Sequence, residues 1–403
     1  MIIDSIQVYF SSLRIACLKT FSCQCGNTLH FANSKCVSCG LLLGFIPEDQ
    51  QLSAFTKNRN GQLQSSSNGL LYKKCKNYSQ YDVCNWMVPI QDGHELCLSC
   101  RLTETIPNLA EEKNMTLWFR MEQAKRRLLY TLLKLNLPVT DRETDPLSGL
   151  GFAFLEDQIE DEYGNELTVK NYVTTGHDSG LVTINLNEAD STSRIQMREQ
   201  MQERYRTLVG HFRHESGHYF WDRLLRHSPR LVEFRTLFGD ERLNYAHAMH
   251  KYYQDGPSVN WQNVWISAYA SMHPWEDWAE TWAHYLHMVD TLETASDFDF
   301  SVSGNKVANP LVSNSDYDQV YTATSFTHLF NDWCRLTAVL NALNRSMGLD
   351  DAYPFVISVT ALDKLRFVHE TITEGFTPTA LRNTKAETLL PGTPPEVKIL
   401  TGS

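Results

Sequence analysis

The sequence predicts an α+β protein in which a small cysteine-rich module precedes a mainly α-helical domain with a small β-sheet. Three observations support this fold class. Eight of the ten cysteines lie between Cys23 and Cys100, in a region rich in Gly, Asn and Ser, which is typical of short strands and turns. Residues 149–186 alternate apolar and polar side chains around a GHDSG turn, which predicts a hairpin in a small sheet. Most of the remaining chain repeats apolar residues at helical spacing.

Composition limits the number of domains and the class of partner. A chain of 403 residues that is 42% hydrophobic and has nine tryptophans predicts a globular protein of two or three folding units. The net charge of -11 disfavours nucleic acid as a partner, because phosphate binding needs a basic face. Asp4 and Arg14 interrupt the order of charges in a secretory signal, and no run approaches the roughly 18 apolar residues of a membrane span. We therefore predict a cytoplasmic protein with no membrane partner.

The chain divides into four predicted segments: an N-terminal extension (1–20), the cysteine-rich module (21–104), the helical domain (105–377) and a C-terminal tail rich in Pro and Thr (378–403). Apolar periodicity predicts helices over Leu117–Leu137, Met197–Leu225, Leu237–Tyr253, Asn263–Ala270, Trp275–Leu292 and Ser325–Met347. The basic run Lys125–Arg127 on the first of these helices predicts a solvated face.

The first group of cysteines has the pattern of a zinc ribbon. In CQCGNTLHFANSKCVSCG the four thiols are Cys23, Cys25, Cys36 and Cys39, and each pair is followed by glycine. Glycine lets the backbone curl so that its N–H groups point at the sulfurs. Free buried cysteines are the alternative interpretation, and the spacing favours structural zinc.

A second structural zinc site is predicted from four further cysteines, namely Cys75, Cys84, Cys97 and Cys100. This group ends in CLSC but begins with two widely spaced cysteines, so His30 and His94 stay open as alternative ligands. Sites closed by four thiolates leave no position for a substrate. The module therefore accounts for one or two structural zinc ions and not for catalysis.

The segment RHESGHYFWD contains an HExxH pattern formed by His214, Glu215 and His218. On a helix, histidines four residues apart share one face and can bind one metal ion, and the glutamate between them can act as general base. A five-residue pattern is short, so an ordinary amphipathic helix explains it equally well unless a third ligand exists.

The segment SAYASMHPWEDWAETWAHYLH offers that third ligand. Glu276, Glu280 and His284 follow one another at four-residue spacing on a helix that starts at Pro274. The flanking tryptophans predict that these carboxylates are buried, and buried carboxylates need a metal or hydrogen bonds. A solvated acidic face is the alternative, and spacing alone leaves open which of the three side chains is the ligand.

Long blocks of this sequence resemble the bacterial zinc-binding metallopeptidases that carry an N-terminal zinc ribbon. The blocks include TGHDSGLVTINLNEAD, YRTLVGHFRHESGHYFWDRL and HPWEDWAETWAHYLH, within residues 21–300. The HExGH helix also looks like that of gluzincin peptidases, and YAxxxPxEDxAE is similar to a helix of anthrax lethal factor-like peptidases. The resemblance implies zinc ligands at His214, His218 and Glu276, a general base at Glu215, a Tyr269 hydroxyl that stabilises the oxyanion, and a Glu280 that orients a ligand histidine.

The sequence therefore predicts a zinc-dependent peptidase that acts on a peptide or protein, with one catalytic zinc and one or two structural zinc ions. Its ribbon module is expected to recruit a protein partner or to shape the cleft. The alternative is a non-catalytic zinc-binding adaptor whose ribbon binds protein or nucleic acid. Glu215 favours the enzyme, because a binding fold has no need of a general base beside its metal.

Overall fold

The computed structural model describes residues 20–162, 166–201, 207–300 and 325–374. The predicted N-terminal extension lies outside these residues except for Thr20, and the predicted tail, 378–403, lies wholly outside them. No helix within these four ranges is both long enough and apolar enough to cross a bilayer.

The N-terminal module is built from two antiparallel sheets of short strands. A hairpin of β1 (Thr20–Ser22) and β2 (Thr28–His30) precedes a five-stranded sheet in which strands follow sequence order. Its strands are β3 (Leu42–Ile46), β4 (Gln51–Lys57), β5 (Leu63–Ser65), β6 (Leu71–Lys74) and β7 (Met87–Pro89). Two short helices, α1 (Lys76–Gln80) and α2 (Leu98–Arg101), lie in the cysteine-bearing connections. The turn between β1 and β2 holds Cys23 and Cys25, and the turn between β2 and β3 holds Cys36 and Cys39, as the composition predicted.

A second, four-stranded sheet has the order β12-β13-β9-β8. Its strands are β8 (Thr103–Thr105), β9 (Gly151–Leu155), β12 (Gly176–Asp178) and β13 (Leu181–Asn185). The β12–β13 hairpin turns at Ser179 and Gly180, which both have positive φ, as expected for the tight hairpin turn that matches strand twist. The predicted small sheet with a hairpin is confirmed. A separate hairpin joins β10 (Gln158–Glu162) to β11 (Glu166–Asn171).

Helices form the rest of the second domain. They are α3 (Glu112–Lys134), α4 (Ser191–Met201), α5 (Leu208–Leu224), α6 (Leu231–Phe238), α7 (Tyr245–Asp255), α8 (Pro274–Asp297), α9 (Phe326–Ser346) and α10 (Val359–Glu374). Three predicted helices are confirmed as α3, α8 and α9, with ends shifted by a few residues. The α+β class with an N-terminal ribbon region is confirmed as well.

Three predicted helices are wrong in extent. The helix predicted over Met197–Leu225 is two helices, because Thr207 accepts a hydrogen bond from the Gly210 N–H and starts α5. The helix predicted over Leu237–Tyr253 is interrupted at Gly239, whose φ of 104° ends α6. In place of a helix over Asn263–Ala270, the chain forms two short 3₁₀ turns, Trp261–Asn263 and Tyr269–Ser271.

The prediction of a solvated face at Lys125–Arg127 is also wrong for two of its three residues. Lys125 and Arg126 are buried, at 0% and 4% exposure. Lys125 pairs with the buried Glu122 at 2.9 Å, and Arg126 donates to the Val83 carbonyl at 2.6 Å. The N-terminal module covers Arg126, whereas Lys125 lies against the second sheet, where it contacts Thr103 on β8 and the rings of Phe152 and Phe154 on β9. One apolar core runs through both parts of the chain.

Candidate metal centres and catalytic site

The first cysteine cluster has the geometry of a zinc-thiolate site. The ligand atoms of Cys23, Cys25, Cys36 and Cys39 all lie within 4.8 Å of one another. The Cys23–Cys39 and Cys25–Cys36 sulfurs are 3.6 and 3.7 Å apart. Tetrahedral zinc with Zn–S bonds of about 2.3 Å places its sulfurs about 3.8 Å apart, so the cluster fits the ion.

The backbone around this cluster supports thiolate ligands. Gly26 and Gly40 follow the cysteine pairs with φ of 84° and 74°, a conformation that glycine adopts without strain. The Cys39 backbone N–H lowers the pKa of the Cys36 thiol to about 6, whereas burial raises the pKa of the Cys23 thiol to about 12. The thiolate is the form that binds metal, so Cys36 is the more readily deprotonated ligand of the two.

The second cluster is buried and consists of cysteine alone. Cys75, Cys84, Cys97 and Cys100 meet the same 4.8 Å limit, and the Cys84 and Cys97 sulfurs are 3.7 Å apart. The Trp86 and Cys97 backbone N–H groups donate to the sulfurs of Cys84 and Cys75 at 3.3 and 3.4 Å. The structure places His30 and His94 in neither cluster. Since α2, which carries Cys100, is followed directly by β8, this cluster adjoins the second sheet.

The HExxH motif lies on α5, which packs closely against α8. Gly217 permits this approach, because a Cβ atom there would lie 2.9 Å from the Ala279 Cα. Trp278 Nε1 donates to the Gly217 carbonyl at 2.8 Å, and Trp282 Nε1 donates to Ser216 Oγ at 3.1 Å. These contacts fix the rotation of the motif helix, so that its histidines face α8.

The structure brings together the side chains of His214, His218 and Glu276, whose ligand atoms lie within 4.8 Å of one another. Glu276 Oε2 is 2.9 Å from His214 Nε2, and Oε1 is 3.4 Å from His218 Nε2. Apart from this contact with His214, the buried Oε2 has no hydrogen-bond partner among the residues that the structure describes; we call it the open oxygen. Two imidazole nitrogens and a desolvated carboxylate oxygen are a donor set that suits zinc with a remaining free position.

The two other candidate ligands on α8, Glu280 and His284, make hydrogen bonds with other side chains. Glu280 Oε1 lies 2.7 Å from His214 Nδ1, and Ser267 donates to Glu280 Oε2 at 2.6 Å. A carboxylate on Nδ1 holds a histidine with its Nε2 lone pair free for metal. His284 instead has its Nδ1 2.7 Å from the Tyr353 hydroxyl. Of the three side chains that spacing left open, Glu276 joins the histidine pair.

Glu215 and Tyr269 border this set. Glu215 is 7% exposed, and its Oε2 also lacks a hydrogen-bond partner in the described part of the chain. The Tyr269 ring lies 6.1 Å from the His214 ring, on the 3₁₀ turn that precedes α8. Burial, followed by the charge of Glu276, raises the pKa of Tyr269 far above its usual value, so its hydroxyl stays protonated and able to donate.

One residue of the site was missed by sequence reasoning. Tyr245, the first residue of α7, donates its hydroxyl to Glu276 Oε1 at 2.8 Å. It lies thirty-one positions before Glu276, outside the motifs, and only the tertiary fold brings the two together.

Two four-cysteine clusters, together with the set of His214, His218 and Glu276, define a zinc-binding protein with a zinc ribbon. The chain belongs to the family described as "putative zinc-binding metallo-peptidase", which matches residues 114–371. Residues 20–111 match a zinc-ribbon domain. The matched ranges place the HExxH helix in the peptidase part and both four-cysteine clusters in the ribbon.

Among its relatives are an uncharacterized protein of Mycobacterium tuberculosis and one of Mycobacterium bovis. Each is 39% identical to this chain over 359 residues, which are 89% of this chain and 96% of the relative. No solved structure matches the chain significantly. The similarity to these relatives covers nearly the whole chain but adds no known substrate.

Proposed function

We propose that this protein is a zinc-dependent peptidase of the gluzincin type, which hydrolyses a peptide or amide bond with Glu215 as general base. One observation carries the proposal. His214, His218 and Glu276 converge, and the neighbouring Glu215 offers a carboxylate oxygen that is buried and unused within the described residues. Such an oxygen is costly to bury, and a water or substrate proton would satisfy it.

The chemistry follows from the positions of these side chains. A zinc ion held by His214, His218 and Glu276 would lower the pKa of water towards neutrality and polarise the scissile carbonyl. Glu215 accepts the proton of the attacking water and delivers it to the leaving amine. Tyr269, kept protonated by burial, donates a hydrogen bond to the developing oxyanion. Glu280 keeps His214 in the required tautomer.

The ribbon would serve a protein partner through its first cluster. Cys25 and Cys39 are exposed, and Val37, between the last two cysteines of that cluster, is 90% exposed. The second cluster is buried against the peptidase part and is suited to a structural zinc. We expect the protein to act in the cytoplasm, where thiols stay reduced and available to zinc.

The test of the function is Glu215→Gln. We expect this variant to keep its fold and zinc while its rate falls by about 10²- to 10⁴-fold, the usual contribution of a general base. Wild type and variant are incubated with a peptide library, and products are compared by mass spectrometry. Asp222→Asn is the matched control, since Asp222 is on the same helix but pairs with Arg226. Equal product formation by Glu215→Gln and wild type would remove Glu215 from the reaction and favour a zinc-binding adaptor.

A further inference from the structure

Helix α7 lies beside His214, His218 and Glu276, which we call the metal set, without entering the core. Every one of its residues is half-buried or exposed. Asn244 caps its start by accepting a hydrogen bond from the His247 N–H, and Gly256, whose φ is 80°, ends it. Its inward contacts include Tyr252, whose ring lies 5.6 Å from that of Tyr269, and the half-buried Tyr245. A helix with so little buried apolar surface depends on such contacts for its position.

Tyr245 makes the contact that bears on the metal set. Its hydroxyl donates a hydrogen bond to Glu276 Oε1 at 2.8 Å. Glu276 itself is 2% exposed. One oxygen of this carboxylate is therefore fixed by the Tyr245 hydroxyl, while the open oxygen lies 2.9 Å from His214 Nε2.

We propose that Tyr245 is a positioning residue of the metal centre, which presents the open oxygen of Glu276 to the ion and thereby couples the position of helix α7 to metal binding. The inference rests on the metal site of the proposed function. Groups that hydrogen-bond to a metal ligand contribute about 10- to 100-fold to metal affinity. Coupling is reciprocal, so metal that fixes Glu276 also holds Tyr245 and the start of α7.

The first test is the zinc affinity of Tyr245→Phe, which removes one hydroxyl and keeps the ring. Zinc is titrated against a chromophoric chelator, and the His218→Ala variant identifies which bound zinc belongs to the metal set. We expect the affinity of that zinc to fall by about 10- to 100-fold. Tyr81→Phe is the matched control, since Tyr81 is an exposed tyrosine of the ribbon whose ring contacts Trp118 edge-on. The zinc affinity of the metal set in this variant should equal that in wild type.

The second test measures amide hydrogen exchange of residues 245–255 with and without zinc in the metal set. In wild type, zinc should slow exchange in α7, and in Tyr245→Phe this effect of zinc should be lost. Equal zinc affinity of Tyr245→Phe and wild type would overturn the inference. It would also be overturned if Tyr245→Phe raised α7 exchange above the wild-type rate by the same factor with and without zinc, because that result marks a purely structural role. If wild-type chain binds no zinc that depends on His218, the proposed metal site itself fails.

Discussion

Glu276 and Glu280 are chemically identical side chains one helical turn apart, yet their surroundings give them different tasks. Glu280 is hydrogen-bonded at both oxygens, to Ser267 and to His214. Glu276 is hydrogen-bonded by Tyr245 at one oxygen and has its open oxygen beside a histidine nitrogen. A carboxylate with satisfied oxygens orients its neighbour, whereas one with a buried, available oxygen is suited to a cation.

The proposed role of the Tyr269 hydroxyl can be tested by a single substitution. We expect Tyr269→Phe to lower kcat by about 10²- to 10³-fold, the effect of losing one oxyanion donor. KM should stay close to the wild-type value, because the oxyanion forms only in the transition state. Steady-state kinetics on a peptide that the wild type cleaves measures both constants, with Tyr81→Phe as control. A kcat equal to that of wild type would show that the Tyr269 hydroxyl does not serve the reaction.

Sequence could place both glutamates on one helix face but could not assign their roles. Helical spacing follows from the sequence alone, so the HExxH pair and the Glu276 face were predictable. The assignment depends on Ser267 and Tyr245, whose contacts arise from tertiary folding. The ligand and catalytic roles of His214, His218, Glu276, Glu215 and Tyr269 accordingly stay predictions that experiments must test.

Among the elements, α10 shows how tertiary packing overrides local preference. Its sequence, VTALDKLRFVHETITE, has several β-branched residues, which lower helix propensity, and the sequence did not predict this helix. The helix packs against α8, and Lys364 on α10 pairs with Asp277 on α8 at 2.6 Å, with side-chain exposures of 2% and 0%. Asp277 directly follows Glu276, so the ion pair anchors the part of α8 that carries this proposed metal ligand.

This buried pair gives a prediction about stability. We expect Lys364→Met to lower the free energy of unfolding by about 3–5 kcal/mol, because it leaves Asp277 buried without its partner. Arg345→Met is the matched control, since Arg345 forms an ion pair with Asp351 at 68% exposure of the arginine side chain; it should cost about 0–1 kcal/mol. Urea unfolding of the three proteins provides the comparison. Equal losses in the two variants would show that the buried pair does not hold α10 against α8.

At the scale of the whole molecule, the ribbon and the peptidase part share one core. Phe31 and Phe45 of the ribbon lie 5.2 and 6.0 Å from the Tyr130 ring on α3. The strand β8, which crosses the predicted limit between residues 104 and 105, pairs with β9. The fold class was predictable from cysteine spacing and periodicity. The burial of Lys125 and Arg126 was not, because the sequence does not reveal that the second sheet covers Lys125 and that the ribbon covers Arg126. The domain limits stay predictions.

We propose that the chain has a third metal site, formed by His214, His218 and Glu276, in addition to the two four-cysteine clusters. Elemental analysis of gently purified wild type and His218→Ala tests this site, with circular dichroism to verify the fold. Four-thiolate clusters should keep their metal in both proteins, so we expect about three zinc ions per wild-type chain and about two per variant chain. An identical zinc count in two folded proteins would contradict the claim.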